Sequence, residues 1–294
     1  MDQKTLNIYK NLEQQIKKIA KHNRQGSFKT KERYLEANKR FCKHLAENFK
    51  VQKFCNIQDK HLESYVKHCQ ERGLSASTIK TDLGAIRFYH DKTEGAKYSL
   101  SGNDRFDLAK RSFGGVDRSW TQKEYSSFRE VCQKYNQERV MAVATLARNE
   151  GLRIHETFKI DRATAENALR TDYLHIVGKG GKEREVPLSA ESKELLKGIV
   201  ENTERGNKLF VEQGEKTHLV IKQVQNFINR HREQYQADSR EHNLTFHGLR
   251  HSYAHEQYQN RINQGLTEFQ ARKEVSQLLG HERDDVTRIY INTK

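Results

Sequence analysis

The stretch DYLHIVGKGGKEREVPL, residues 172–188, breaks the helical periodicity of the sequence around it. Two β-like runs, 172–177 and 185–188, flank the glycine-rich segment 178–182. Short runs with apolar and β-branched residues on both sides of a Gly-rich turn are typical of a β-hairpin. We therefore expect a small antiparallel sheet within an otherwise helical domain.

Helical periodicity extends outward from this hairpin in both directions. Residues 59–72 have apolar side chains at i, i+3, i+4 and i+7, with Asp59 placed to cap the start and Gly73 the end. Thr121 and Glu124 match a capping box at the start of another helix. Further helices are predicted at about 4–23, 29–49, 75–89, 138–149, 189–202, 217–236, 247–262, 267–279 and 284–291.

The chain has one clear candidate for a linker. Periodicity fails between Asp104 and Ser119, and residues 111–119, RSFGGVDRS, contain a Gly-Gly pair that is typical of a linker. A chain of 294 residues matches about two domains. We predict a helical domain at 1–110, a linker at 111–119 and a second domain at 120–294, which is mainly helical but contains the small sheet.

Positive charge is concentrated in the first part of the chain. The net charge is +14 and the pI is about 9.5, with a net +11 in residues 1–119 and +3 in residues 120–294. Clustered Lys and Arg favour a polyanionic partner, nucleic acid first and an anionic membrane surface second. A set of solvated helix faces is the alternative interpretation of the same charges.

The composition argues against several classes of protein. No stretch approaches the ~18 apolar residues of a membrane-spanning helix, and the first residues, MDQKTLNIYK, are polar. The four cysteines lie far apart without a CxxC pair, which argues against both a disulfide framework and a cysteine-based zinc site. We therefore expect a cytoplasmic protein.

Two basic residues near the hairpin are candidates for phosphate chemistry. Arg153 follows the apolar run 140–147, where a guanidinium needs an anionic partner, and a surface pair with Glu156 is the alternative. Lys179 lies at the hairpin tip, from which it could reach a DNA groove or a phosphate, although an ordinary exposed lysine is the alternative. The segment does not match a Walker A loop, because no Ser or Thr and no helix follow its last lysine.

A second group of candidates lies in TFHGLRHSYAH, residues 245–255. His247 and Arg250 share one helix face at i, i+3, and together they offer a titratable proton and a bidentate cation, as a reacting phosphodiester requires. The same stretch allows a metal-binding stripe of His247, His251 and His255, although no Asp, Glu or Cys completes such a set.

The last candidates are in LLGH, residues 278–281, and at Tyr290. A phenol has a pKa near 10, so it needs cationic neighbours to act as a nucleophile, and the other candidates could supply them. A packing role is the alternative for any single one of the 12 tyrosines.

In order and spacing, these residues resemble the tyrosine recombinase (phage integrase) family. The resemblance covers residues 120–294 well and residues 1–119 in outline, as a helical core DNA-binding domain. It implies a mainly α fold, with that domain followed by an α+β catalytic domain that contains a small antiparallel sheet. The residues that match are Arg153, Glu156, Lys179, His247, Arg250, His281 and Tyr290.

The resemblance implies site-specific DNA recombination through a covalent intermediate. Tyr290 would attack the scissile phosphate and leave a 3′-phosphotyrosyl bond, while Lys179 would protonate the departing 5′ oxygen. Arg153 and Arg250 would bind the non-bridging oxygens. Because transesterification conserves the bond energy, neither ATP nor a metal is required, and no cofactor is expected.

The remaining implied roles concern supporting residues and partners. His247 would act in acid–base work near Tyr290, His281 would hydrogen-bond the phosphate, and Glu156 would orient the cluster. The implied partner is double-stranded DNA, held by the two domains as a clamp, with a homotetramer on two DNA sites and a monomer or weak oligomer when free. This implies a nucleoid-associated protein in the cytoplasm and no membrane partner.

Two other functions and one departure from the family pattern stay open. The chain could instead relax DNA as a type IB topoisomerase does, or bind DNA without catalysis. The segment between Arg250 and His281 is longer than is usual for the family by about two helical turns, around residues 260–269. This excess could displace the helix that carries His281.

Overall fold

The chain divides into two compact units, Met1–Ser112 and Phe113–Lys294. The computed structural model describes residues 1–110, 117–178, 181–281 and 284–291. The unit boundary falls within the predicted linker, of which residues 111–116 lie outside the described part. None of the helices in the described ranges combines the length and apolar character needed to cross a membrane.

The first unit is a helical bundle, as the periodicity predicts. Its helices are α1 (Gln3–His22), α2 (Phe28–Asn48), α3 (Asp59–Glu71) and α4 (Ala76–His90). Side chains of Asp2, Ser27 and Ser75 cap α1, α2 and α4 by accepting a hydrogen bond from a backbone N–H three residues on. The buried apolar cluster of this unit includes Leu12, Phe41, Leu62, Leu83 and Ile86.

The start of α3 differs from the prediction by one residue. Gln58 is the N-cap, and its backbone N–H donates to His61 Nδ1 at 2.9 Å. Asp59 is the first helical residue, and its carboxylate accepts from the N–H and the hydroxyl of Ser101, at 2.9 and 2.6 Å, instead of capping the helix. The predicted end at Gly73 is confirmed by its left-handed backbone, φ +71°.

The second unit is mainly helical and contains a small sheet, so the predicted fold class is confirmed. Its elements are α5 (Gln122–Lys134), α6 (Glu138–Glu150), α7 (Ile154–Thr157), α8 (Arg162–Thr171), β1 (Tyr173–Val177), β2 (Glu183–Pro187), α9 (Ala190–Glu201), α10 (Thr217–His231), α11 (Phe246–Asn263), α12 (Glu268–Leu278) and α13 (Asp284–Ile291). The strands pair antiparallel, with Leu174 opposite Val186 and Ile176 opposite Arg184. The second strand begins two residues earlier than predicted.

Helix α11 lies at the centre of the second unit, against α6, α12 and α13. The segment before α5 is attached to it, since Trp120 donates its backbone N–H to Ser252 Oγ at 2.7 Å and its indole N–H to the Thr245 carbonyl at 3.0 Å. Gly248 permits this contact, because a Cβ there would lie 2.4 Å from the Arg118 carbonyl oxygen. One face of α11 is thereby held in place, while its other faces contact α12 and α13.

Candidate active site

Arg250 is completely buried at the centre of the site. One terminal nitrogen, Nη1, donates to the carbonyl of Gly151, and the other, Nη2, donates to the carbonyl of Leu279 at 2.5 Å. Gly151 ends α6 with φ +64°, and a Cβ there would overlap the Tyr253 ring at 2.3 Å. Burial, followed by the positive charge of Arg153, lowers the pKa of Arg250 to about 10, so the guanidinium stays charged at neutral pH.

Arg153 is held at the start of α7 by the carboxylate of Glu156. Its backbone N–H donates to Glu156 Oε2 at 2.8 Å, and its Nη1 donates to Oε1 at 2.9 Å. The side chain of Glu156 is fully buried, whereas that of Arg153 is 25% exposed. Arg250 Nη1 lies 3.9 Å from Glu156 Oε2. One carboxylate therefore faces both predicted arginines and leaves the Arg153 guanidinium partly open to a ligand.

A third arginine, which the sequence analysis did not single out, completes this cluster. Arg184 on β2 donates from Nη1 and Nη2 to the two oxygens of Glu156, at 3.1 and 2.8 Å. Burial acts to raise the pKa of Glu156, but Arg184, then Arg153 and Arg250, together lower it to about 2. The sequence signal is an arginine two residues before the buried Val186, on the inward face of a strand.

Tyr290 lies on α13 against three histidine rings, and it is 8% exposed. The ring centroid of Tyr290 is 4.5 Å from that of His251, 5.1 Å from that of His281 and 5.4 Å from that of His247. The Cζ atom of Arg250 lies 5.6 Å from the same centroid. The structure therefore places the phenol beside both a charged guanidinium and imidazoles that can exchange protons.

The three imidazoles are neutral at neutral pH. Their desolvation, followed by the charge of Arg250, lowers the pKa of His247 to about 4 and that of His281 to about 3. Desolvation and the neighbouring His247 lower the pKa of His251 to about 3. His247 is nevertheless exposed to solvent. A neutral histidine there is able to accept a proton.

His281 is positioned by α13 as well as by α12. Its Nδ1 lies 3.2 Å from the hydroxyl of the buried Thr287, and its Nε2 lies 3.4 Å from Arg250 Nη2. Residues 260–269, where the sequence predicts the extra length, span the end of α11 at Asn263 and the start of α12 at Glu268. His281 nevertheless lies beside Arg250 and Tyr290.

Lys179 lies outside the described residues, but Gly178, directly before it, lies close to the cluster. Gly178 donates its N–H to the carbonyl of Lys182 at 2.6 Å, which closes the base of the hairpin turn. A Cβ on Gly178 would lie 3.5 Å from Glu156 Oε1. The residue immediately before Lys179 therefore lies beside the carboxylate that holds the arginines.

The histidines of the metal-binding stripe considered from the sequence lie in different environments in the structure. His251 is buried against Tyr290, while His255 on the same helix is exposed. In the ranges that the structure describes, no three His, Cys, Asp or Glu residues are grouped so that they could hold a metal ion.

Known sequences and structures resemble both units. The profile of the phage integrase family matches residues 118–294, and the profile called phage integrase, N-terminal, matches residues 9–94. The tyrosine recombinase XerC of Neisseria gonorrhoeae is 32% identical over 153 residues, which are 51% of this chain and 45% of the relative, so the match spans under half of that protein. XerC of Vibrio campbellii is 25% identical over 274 residues, 90% of this chain and 82% of the relative.

Solved structures show the same fold. XerH site-specific recombinase bound to palindromic difH substrate matches with a TM-score of 0.64 and 22% identity, covering 100% of this chain and 86% of that one. A lambda integrase dimer bound to a COC′ core site matches with a TM-score of 0.68 and 19% identity, covering 95% and 94%. The profile of the phage integrase family spans more than half of the residues of this chain, so the chain belongs to the phage integrase family.

Proposed function

We propose that this protein is a site-specific DNA recombinase that cuts and rejoins strands through a 3′-phosphotyrosyl bond at Tyr290. The main support is the position of Tyr290, whose ring lies beside the buried Arg250 and three neutral histidines. A nucleophilic phenol needs nearby positive charge and a proton acceptor, and this cluster offers both. Membership of the phage integrase family agrees with the proposal.

In the proposed reaction, the phenol oxygen of Tyr290 forms a bond to the scissile phosphorus, and the bond from phosphorus to the 5′ oxygen breaks. His247 takes the phenol proton, and Lys179 gives a proton to the departing 5′ oxygen. Arg153 and Arg250 donate to the non-bridging oxygens, where negative charge increases in the transition state. Strand exchange follows when a 5′ hydroxyl from another strand attacks the phosphotyrosyl bond and releases Tyr290.

The proposed partners follow from the same chemistry. Residues 1–110, which hold most of the excess positive charge, would bind double-stranded DNA, and residues 120–294 would carry out catalysis. The reaction would need neither metal nor ATP, since cationic side chains stabilise the charge and no bond energy is lost. A lambda integrase tetramer has been solved on a Holliday junction, and we propose a tetramer on two DNA sites here as well. The protein would act at the nucleoid.

The decisive experiment traps the covalent intermediate. A nicked duplex loses the short fragment next to the cut, so a phosphotyrosyl adduct accumulates and is seen as a band of lower mobility in a denaturing gel. We expect the adduct with the wild-type protein and none with Tyr290→Phe, which retains DNA binding. The matched control is Tyr253→Phe, because Tyr253 is a buried tyrosine of the same unit that packs against Gly151.

Two outcomes would point to other functions. Relaxation of supercoiled DNA that carries no recombination site, by a monomer, would favour a topoisomerase. Tight and specific binding without any adduct from wild-type protein would indicate a DNA-binding protein whose catalytic residues are inactive.

A further inference from the structure

Arg184 occupies a position where a charged side chain is costly. It lies on β2 opposite the buried Ile176 and two residues before the buried Val186, and its side chain is 7% exposed. A guanidinium on the inward face of a strand needs a well-placed anion. Glu156 is that anion, since both of its oxygens accept from the two terminal nitrogens of Arg184.

The aliphatic part of Arg184 contacts a different element of the site. A Cβ on Gly280 would lie 3.0 Å from Arg184 Cδ, and Gly280 has a left-handed backbone with φ +64°. Gly280 is directly followed by His281. One side chain of the hairpin therefore touches both the carboxylate that holds Arg153 and the turn that presents His281.

Among the neighbours of Glu156, Arg184 does most to stabilise its negative charge. The charged groups that face this carboxylate are Arg153 at the start of α7, Arg184 on β2 and Arg250 on α11, with the neutral His155 and His247 further away. Of these groups, Arg184 contributes most to the low pKa of Glu156. Without it, the burial of Glu156 would act against ionisation.

We propose that Arg184 is a positioning residue for the recombination site: it fixes the Glu156 carboxylate that orients Arg153 and Arg250, and it joins the β-hairpin to the turn before His281. The proposal rests on the proposed function. Arg184 has no contact with the reacting phosphate in this scheme, so its effect passes through Glu156. This explains why its guanidinium is directed away from solvent while that of Arg153 is partly exposed.

The test compares single-turnover cleavage of the nicked duplex by wild type, Arg184→Met and Arg184→Lys, from about pH 5.5 to about pH 8.5. Loss of a residue that hydrogen-bonds and orients a functional side chain typically lowers activity by about 10–100-fold. We expect the cleavage rate of Arg184→Met to fall by that factor. Removal of Arg184 should raise the pKa of Glu156. The loss of rate in Arg184→Met should therefore increase as the pH falls below that raised pKa, by up to about tenfold per pH unit. Arg184→Lys keeps the positive charge, so its smaller loss should not depend on pH.

Two controls separate this effect from simple misfolding. The double variant Arg184→Met with Glu156→Gln has no carboxyl to titrate, so its rate relative to wild type should no longer fall in acid. Arg129→Met removes an exposed arginine paired with Glu191 and should cleave normally. Carbon-13 NMR of the Glu156 carboxyl, assigned by its absence in Glu156→Gln, should show a higher pKa in Arg184→Met than in wild type.

The possible results separate this proposal from the proposed function. If wild type forms the adduct and both Arg184 variants cleave at the wild-type rate, Arg184 is a packing residue and the proposal is wrong. An equal loss at every pH in Arg184→Met would also overturn it. If Arg184→Met does not fold, the test uses Arg184→Lys alone, and a wild-type rate of cleavage by that variant would overturn the proposal. Absence of an adduct with wild type rejects the proposed function, and NMR titration still tests the pairing with Glu156.

Discussion

The Cζ atom of Arg250 lies 5.6 Å from the centroid of the Tyr290 ring, and the guanidinium reaches this position with none of its surface exposed. It is held there by the carbonyls of Gly151 and Leu279, at the ends of α6 and α12. Backbone carbonyls at helix ends lack partners within the helix, so they are good acceptors for a cation. The charge is thereby fixed beside the phenol before any substrate is present.

We expect Arg250→Lys and Arg153→Lys each to slow single-turnover cleavage by about 10²–10³-fold. Lysine keeps the positive charge but cannot donate in two directions from a planar fork. In Arg250→Lys, one of the two buried carbonyls would also lose its donor. The control is Arg139→Lys, since Arg139 pairs with Glu212 and Glu215 away from the cluster. Cleavage at the wild-type rate by either site variant would make that arginine structural.

The hydroxyl of Thr287 should determine which ring nitrogen of His281 carries the proton. Arg250 only donates, so His281 Nε2 is the accepting nitrogen beside it and Nδ1–H donates to Thr287 in this arrangement. A hydroxyl can also donate, which allows the other tautomer, with Nε2–H free to donate to a phosphate oxygen. Thr287→Val retains the shape of the side chain but loses both options. Since one hydrogen bond contributes about 0.5–1.5 kcal/mol, cleavage should slow by about two- to tenfold.

The control for this variant is Thr145→Val, which removes another buried hydroxyl of the same unit, between α5 and α6. Its cleavage rate should equal that of wild type even if its stability falls. A normal rate in Thr287→Val would show that the tautomer of His281 is set by something else.

Acid should destabilise the second unit through its buried histidines. The pKa of His251 is lowered to about 3, so between about pH 6.5 and the folded value the unfolded chain binds a proton that the folded chain does not. Stability therefore falls as the pH drops below about 6.5, by at most about 1.4 kcal/mol per pH unit for this residue. His251→Phe keeps an aromatic ring against Tyr290 and should lose less stability between neutral pH and about pH 5.

Urea unfolding of the full chain at the two pH values measures this difference. His255→Phe, at an exposed position on the same helix, is the matched control and should show the wild-type acid dependence. If His251→Phe loses as much stability as wild type on acidification, the buried imidazole is not the group that resists protonation.

Cleavage should persist in excess EDTA, because the proposed site stabilises the phosphate with guanidinium and imidazole groups of the chain. The measurement is single-turnover adduct formation with and without chelator, at constant ionic strength. Loss of cleavage in EDTA that a divalent ion restores would revive a metal site that includes His247 and His251.

Local patterns in the sequence predict most of the fold, and tertiary contacts explain what was missed. The stripe on α3 and the capping box of α5 depend on neighbours in sequence, so periodicity finds them. α7 is only four residues long, and the buried positions of α8 are alanines, so neither gives an apolar stripe. Arg184 contacts Glu156, which is 28 positions away in sequence. Thr287 on α13 contacts His281, which precedes that helix, so only the folded chain shows either contact.

The last prediction concerns where DNA affinity resides. Residues 1–119 carry a net +11 and residues 120–294 a net +3, and the described part of each has its own buried core. Non-specific affinity follows neutralised phosphates and released counterions, with each contact adding about 0.9 to the slope of log K against log salt. A fragment of residues 1–119 should therefore bind duplex DNA more tightly than residues 120–294, with the steeper salt slope. The full chain should exceed both fragments, because linkage makes the second contact intramolecular. Titrating each protein against one duplex at several salt concentrations gives both quantities. A flatter slope for residues 1–119 would mean that their positive charges are solvated and that DNA is bound mainly by the second unit.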